Sequence, residues 1–183
     1  MRPVRSAWGT VEFVDSVTSA TRNQLSLFWY PMLVFGVLSL IAGFVAFLGG
    51  VTAAGVVWFI GGPIGSIATT VHYQRSTESI GLRTDATPSF VIVALLALGT
   101  FTLPFVVGGD PAWAISLWTG TCYLGFAWLE RSRAVAAVAA TFLSLGLAFI
   151  AVSVPVEFGW FSLISGAALL VGGTHARPRR VIQ

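Results

Sequence analysis

Six apolar runs, each free of Asp, Glu, Lys and Arg, divide the chain: Leu27–Leu48, Val51–Val71, Phe90–Val107, Ala112–Leu129, Ala134–Val154 and Phe158–Gly173. A helix that crosses the hydrocarbon of a bilayer needs about 20 residues, with a range of about 17–25. An arginine at its centre costs about 2.5–3.5 kcal/mol on the insertion scale. The runs therefore predict six membrane-spanning helices, of which the sixth is the shortest. The expected fold is all-α and polytopic. Residues 1–26 form a polar N-terminal segment, 27–173 the six-helix transmembrane domain and 174–183 a basic tail.

The connections alternate in kind. Gly49-Gly50, Gly108–Pro111 and Pro155–Glu157 are short and hold no arginine, whereas Gln74–Ser89, Glu130–Arg133 and both tails hold all ten cations of the chain. The positive-inside rule then places both termini in the cytoplasm of a cell whose inner membrane carries the protein. Pairing the spans through their arginine-free turns gives three αα-hairpins. Arg75, Arg133 and Arg179 each follow a glycine (Gly62, Gly120 and Gly166) by 13 residues, which suggests a three-fold hairpin repeat.

Composition agrees with this reading. The chain has 183 residues, 56% of them hydrophobic and 9% charged, and its mean hydropathy is +0.86. A soluble domain carries about 25% charged residues, so a soluble enzyme is excluded. With a single cysteine, Cys122, no internal disulfide framework exists. The net charge of +3 sits in clusters between apolar runs, which argues for anionic lipid headgroups and against nucleic acid as the partner. Arg2 and Arg5 look like the start of a signal peptide, but Glu12, Asp15 and Arg22 interrupt the place of its apolar region. Residues 7–21 instead carry Val11, Val14 and Val17 at helical spacing, as an interfacial amphipathic helix would.

The layout resembles the HdeD-like family of small bacterial membrane proteins. The likeness lies mostly in FGVLSLIAGFVAFLGG followed by VVWFIGGPIG. The stretches WFIGGPIGSIATTVHYQR and GFAWLERSR are also similar to a broad group of six-helix membrane proteins from high-GC bacteria. The resemblance implies three hairpins with basic inner ends. It implies no activity, cofactor or catalytic residue.

Residues that carry chemistry are sparse. Gly36, Ser39 and Gly43 share one helix face, and Gly62, Ser66 and Thr69/Thr70 another; such faces pack helices closely or border a cavity. Pro63, within Gly61–Gly65, predicts a kink with Gly61 and Gly62 at a close helix contact. Ser116, Thr119, Gly120 and Tyr123 recur at i, i+3, i+4 and i+7. They either bridge helices or line a pocket for a small apolar ligand, with Trp58 and Trp118 as candidate walls. Asp110 and Glu157 are the acids expected at the outer turns. If they converge, one would hold a proton for catalysis; otherwise they are turn residues. His72 and His175 have no cysteine partners for a zinc site, so neither metal nor cofactor is expected.

Three function classes remain. The favoured one is a non-catalytic accessory or stress-related membrane component, acting on lipid, on further copies of itself or on a membrane partner. The alternatives are a small-molecule binding or transport component, and an intramembrane enzyme such as an acid-initiated isoprenoid cyclase.

Overall fold

The computed structural model describes residues 29–78, 87–107, 111–152 and 155–177. The expected interfacial helix over 7–21 and most of the basic tail lie outside these residues. Among the described residues the fold is helical throughout, with no strand. The helices are α1 (Trp29–Glu78), α2 (Thr87–Val107), α3 (Ala112–Glu130), α4 (Arg133–Ala151) and α5 (Glu157–Ala176). Among the described residues, two helices are long and apolar enough to cross a membrane: the 45-residue part Trp29–Tyr73 of α1, and α4, Arg133–Ala151.

Helix α1 is two arms in one. Gly50 has φ 78° and ψ 177°, the one non-helical residue in its 50. Those angles belong to a region that residues with a Cβ essentially never enter. In a straight helix Tyr30 and His72 would stand about 60 Å apart, yet their rings stack with centroids 4.0 Å apart. The arms, residues 29–49 and 51–78, therefore fold back on each other. Gly61 takes the Leu38 side chain, and Gly65 lies against Val34 and Phe35. Toward the break, Ala42, Ala46 and Ala54 pack together under Val57 and Trp58.

The sharp turn between α3 and α4 has a local cause. Arg131 closes α3 in the left-handed region, with φ 52°. Ser132 then caps α4, its side chain accepting from the Val135 amide at 3.4 Å. So short a connection forces the two helices to run antiparallel.

The helices follow one another around an arc. Helix α2 touches α3, α3 touches α4, α4 touches α5, and α5 touches α1. Among the described residues no contact joins α1 to α2. Two seams of the arc share one device. Along the first arm of α1 and along α5, leucine and glycine recur at steps of three, four and three: Leu33, Gly36, Leu40, Gly43 and Leu163, Gly166, Leu170, Gly173. A Cβ added to Gly36 would stand 2.9 Å from Leu170, one on Gly43 2.8 Å from Leu163, one on Gly166 2.9 Å from the Leu40 amide, and one on Gly173 3.0 Å from Leu33. Each leucine thus fills the hole at the partner's glycine. The α3–α4 seam repeats this, Leu143 lying 2.8 Å from the Cβ position of Gly120 and Leu117 2.6 Å from that of Gly146. Small residues of this kind let helix backbones approach closely.

Inside the arc, aromatic rings link α3, α4 and α5. Tyr123 stacks on Phe142 at 5.5 Å, and Phe142 meets Phe161 edge-on at 6.0 Å. Large apolar side chains face outward instead: Leu48 is 89% exposed, Trp128 and Val106 79% and Phe59 77%. Exposed apolar surface of this extent marks a contact with lipid or with protein.

Candidate functional site

One end of the bundle gathers the described arginines. Arg177 lies over the Trp29 ring at 5.3 Å. Trp29 and Tyr30 both meet His72, which also meets Tyr73 edge-on. Glu130, at the end of α3, acts electrostatically on Tyr73. Gly172 abuts Met32 and Val138, which brings the start of α4 to the same end. Arg75, Arg131, Arg133 and Arg177 therefore share one side of the fold. The opposite end holds Gly50, with Phe47 against Trp160 at 5.3 Å, and Glu157 in the first turn of α5.

The polar face of α3 is turned inward and engaged in packing. Ser116, fully buried, donates its Oγ to the Phe142 carbonyl of α4 at 2.7 Å. Thr119 is buried beside it, Gly120 seats Leu143, and Tyr123 stacks on Phe142. Of the two readings of this face, bridging helices is what these contacts do. Trp118 lies across Gly99 of α2, and its Nε1 donates to the Leu95 carbonyl at 3.0 Å. It pins α2 to α3. Trp58 is half-buried and stacks parallel to Phe35 within α1.

The expectation for Gly62 needs correction. Pro63 is exposed and keeps helical angles; the backbone of α1 breaks at Gly50. Gly61 does make the close helix contact, but a Cβ on Gly62 would meet nothing within 4 Å. The reason is the helical turn of about 100° per residue, which sends neighbouring glycines to different faces. Ser66 and Thr70, on the open face, bond back to the carbonyls of Gly62 and Ser66 at 2.9 Å each.

Of the two acids expected at the outer turns, Glu157 is half-exposed, and Asp110 lies outside the described residues. Among the described residues no group of three or more His, Cys, Asp or Glu could hold a metal ion. The sequence reading passed over the serines of α5. Ser162 and Ser165 are 1% and 2% exposed. Ser165 donates to the Ser162 carbonyl at 3.3 Å, while Ser162 Oγ and Thr69 Oγ1 are buried with no hydrogen-bond partner. The spacing Ser162, Ser165, Gly166, Leu169 was a usable signal, since it marks one inward helix face. No protein-family model, curated protein or solved structure matches the chain.

Proposed function

We propose that the chain is an integral protein of the bacterial inner membrane with six spans. The two arms of α1 form one hairpin, α2 with α3 the second and α4 with α5 the third, and both termini are cytoplasmic. Its role is that of a non-catalytic membrane component that acts through packing with lipid, with itself or with a partner. The observation that carries this reading is the division of side chains. Ser116 and the glycines at 36, 43, 120, 146, 166 and 173 are engaged in helix seams, while many large side chains, Leu48, Phe59, Val106 and Trp128 among them, face outward. Helices α3 and α5, of 19 and 20 residues, are about 28–30 Å long, the thickness of the hydrocarbon. Tryptophan, glycine and hydroxyls dilute their apolarity, as befits spans that bury a small-residue face. The arginines gathered at one end support the orientation and a surface for anionic headgroups. The HdeD-like likeness belongs to the same proposal.

The second reading, a binding component for a small apolar molecule, is favoured by one observation: the unpartnered buried hydroxyls of Ser162 and Thr69. Reporter fusions after Gln183 and within 74–89 test the topology. Both should read cytoplasmic, and a periplasmic signal at either refutes six spans. Native mass spectrometry of the purified protein separates the two roles, since a retained small molecule favours binding.

A further inference from the structure

The seam between the first arm of α1 and α5 extends to the basic end of the fold. Trp29 precedes Leu33 by four residues and Arg177 follows Gly173 by four, so both continue the line of the seam. Gly173 lies against Leu33 and the Trp29 carbonyl, which brings the end of α5 beside the start of α1. Arg177 then stands over the Trp29 ring at 5.3 Å. Trp29 is itself braced edge-on by Tyr30 at 5.6 Å and by His72 at 5.4 Å. An arginine stacked on a ring engages the face of its guanidinium and keeps its in-plane N–H donors. Among the described residues Arg177 forms no ion pair. Its fork is therefore held in place, exposed and open to an oxyanion. Arg75, also exposed, stands one turn beyond His72 on the second arm and adds positive charge at the same end. Glu130 acts on Tyr73, on the side of His72 away from α5.

The outer flank of the same seam is apolar. Val37, Ile41 and Phe44 recur at steps of four and three on α1, and Ile164, Ala167 and Val171 at steps of three and four on α5. All six are exposed, whereas Ser39 and Ser162 on the other flank are buried. The glycines at 36, 43 and 166 bring the two backbones together, so the exposed rows border a shallow groove. From Trp29 to Ile41 it runs about 18 Å along the helix. One leaflet contributes about half of a hydrocarbon core about 30 Å thick. A phosphate at the head of the groove and an acyl chain along it are parts of one molecule, a phospholipid. Charge decides its class. A zwitterionic headgroup brings its own cation, which Arg177 and Arg75 repel, whereas an anionic one does not.

We propose that the Arg177–Trp29 pair and the outer groove of the α1–α5 seam bind one anionic phospholipid, its phosphate on the Arg177 fork and an acyl chain along Val37 and Ile41. The proposal rests on the membrane reading, with this end at the cytoplasmic leaflet, and narrows its basic surface to one site.

The test reconstitutes the full chain in mixed phosphatidylcholine–phosphatidylglycerol vesicles and extracts it in mild detergent. Native mass spectrometry then identifies the retained lipid by mass. The wild type should keep one phosphatidylglycerol in preference to phosphatidylcholine. Arg177→Gln should lower that retention about tenfold, the weight of a charge-assisted hydrogen bond. Arg177→Lys should restore only part of it, since an ammonium lacks the planar fork. Ala167→Phe fills the groove from an exposed position and should also lower retention, which keeps the proposal testable if Arg177→Gln fails to fold. Arg133→Gln, at the same end but on α4, should keep the lipid. Unchanged retention in Arg177→Gln or in Ala167→Phe would overturn the site. An equal loss in Arg133→Gln would overturn it too, as a diffuse effect of charge. Displacement of the lipid by excess inorganic phosphate would assign the fork to a free anion and overturn the phospholipid. The topology reporters read independently: cytoplasmic signals with no retained phosphatidylglycerol refute the site alone, and a periplasmic signal refutes the membrane reading.

Discussion

Glycine to alanine at position 120 measures how tightly the arc is locked. The added Cβ would stand 2.8 Å from Leu143 Cγ, 2.9 Å from its Cδ2 and 3.0 Å from its backbone nitrogen. Ordinary contacts begin near 3.4 Å, so the methyl group intrudes by several tenths of an ångström. A new leucine rotamer relieves the first two contacts but leaves the third, and helix α4 must back away from α3. That movement also strains the Ser116 hydrogen bond to Phe142, one turn away. Overpacking of this kind costs about 1–3 kcal/mol. Alanine returns up to about 1 kcal/mol of helix propensity over glycine. The net expectation is a loss of about 0–3 kcal/mol. Gly55→Ala is the control, because a Cβ there meets nothing within 4 Å. It gains the propensity alone and should stabilise by up to about 1 kcal/mol. Unfolding in mixed micelles with rising SDS, followed by tryptophan fluorescence and far-UV circular dichroism, compares the two. Gly120→Ala should unfold at clearly lower SDS than Gly55→Ala. Equal midpoints, or the reverse order, would refute the interlocked seam.

Two more substitutions probe other parts of the fold. Gly50→Ala places a Cβ in open space but forces it into a glycine-only backbone conformation. The same assay should show a loss of about 1–3 kcal/mol, and a neutral result would mean that the arms join by another geometry. Ser116→Ala removes a buried hydroxyl bond to the Phe142 carbonyl and should cost about 0.5–1.5 kcal/mol. An unchanged midpoint would return the hydroxyl face of α3 to the pocket reading.

Much of the architecture was legible along the chain. The apolar runs coincide with the described helices, because a run free of charges is a local signal. Gly49-Gly50 was readable as a turn on the same footing, since positive φ is a property of the residue itself. The Leu-x-x-Gly spacing of the first arm and of α5 was equally visible, but its meaning was not. A glycine becomes a hole only when a particular leucine stands opposite, and that depends on which helices become neighbours and in which register. For the same reason the sequence could not separate Gly61 from Gly62. They are adjacent in the chain and identical in chemistry, yet about 100° of helical rotation puts one against Leu38 and the other at an open face. The hydroxyls of α3 likewise could be read as a polar face by their spacing alone. Whether that face bridged or enclosed was decided by the approach of α4, because a serine at one position finds the carbonyl of Phe142 only when that helix packs in that register. Helix existence follows from local solvation and backbone freedom; seams, holes and the gap between α1 and α2 follow from the global order of helices around the arc.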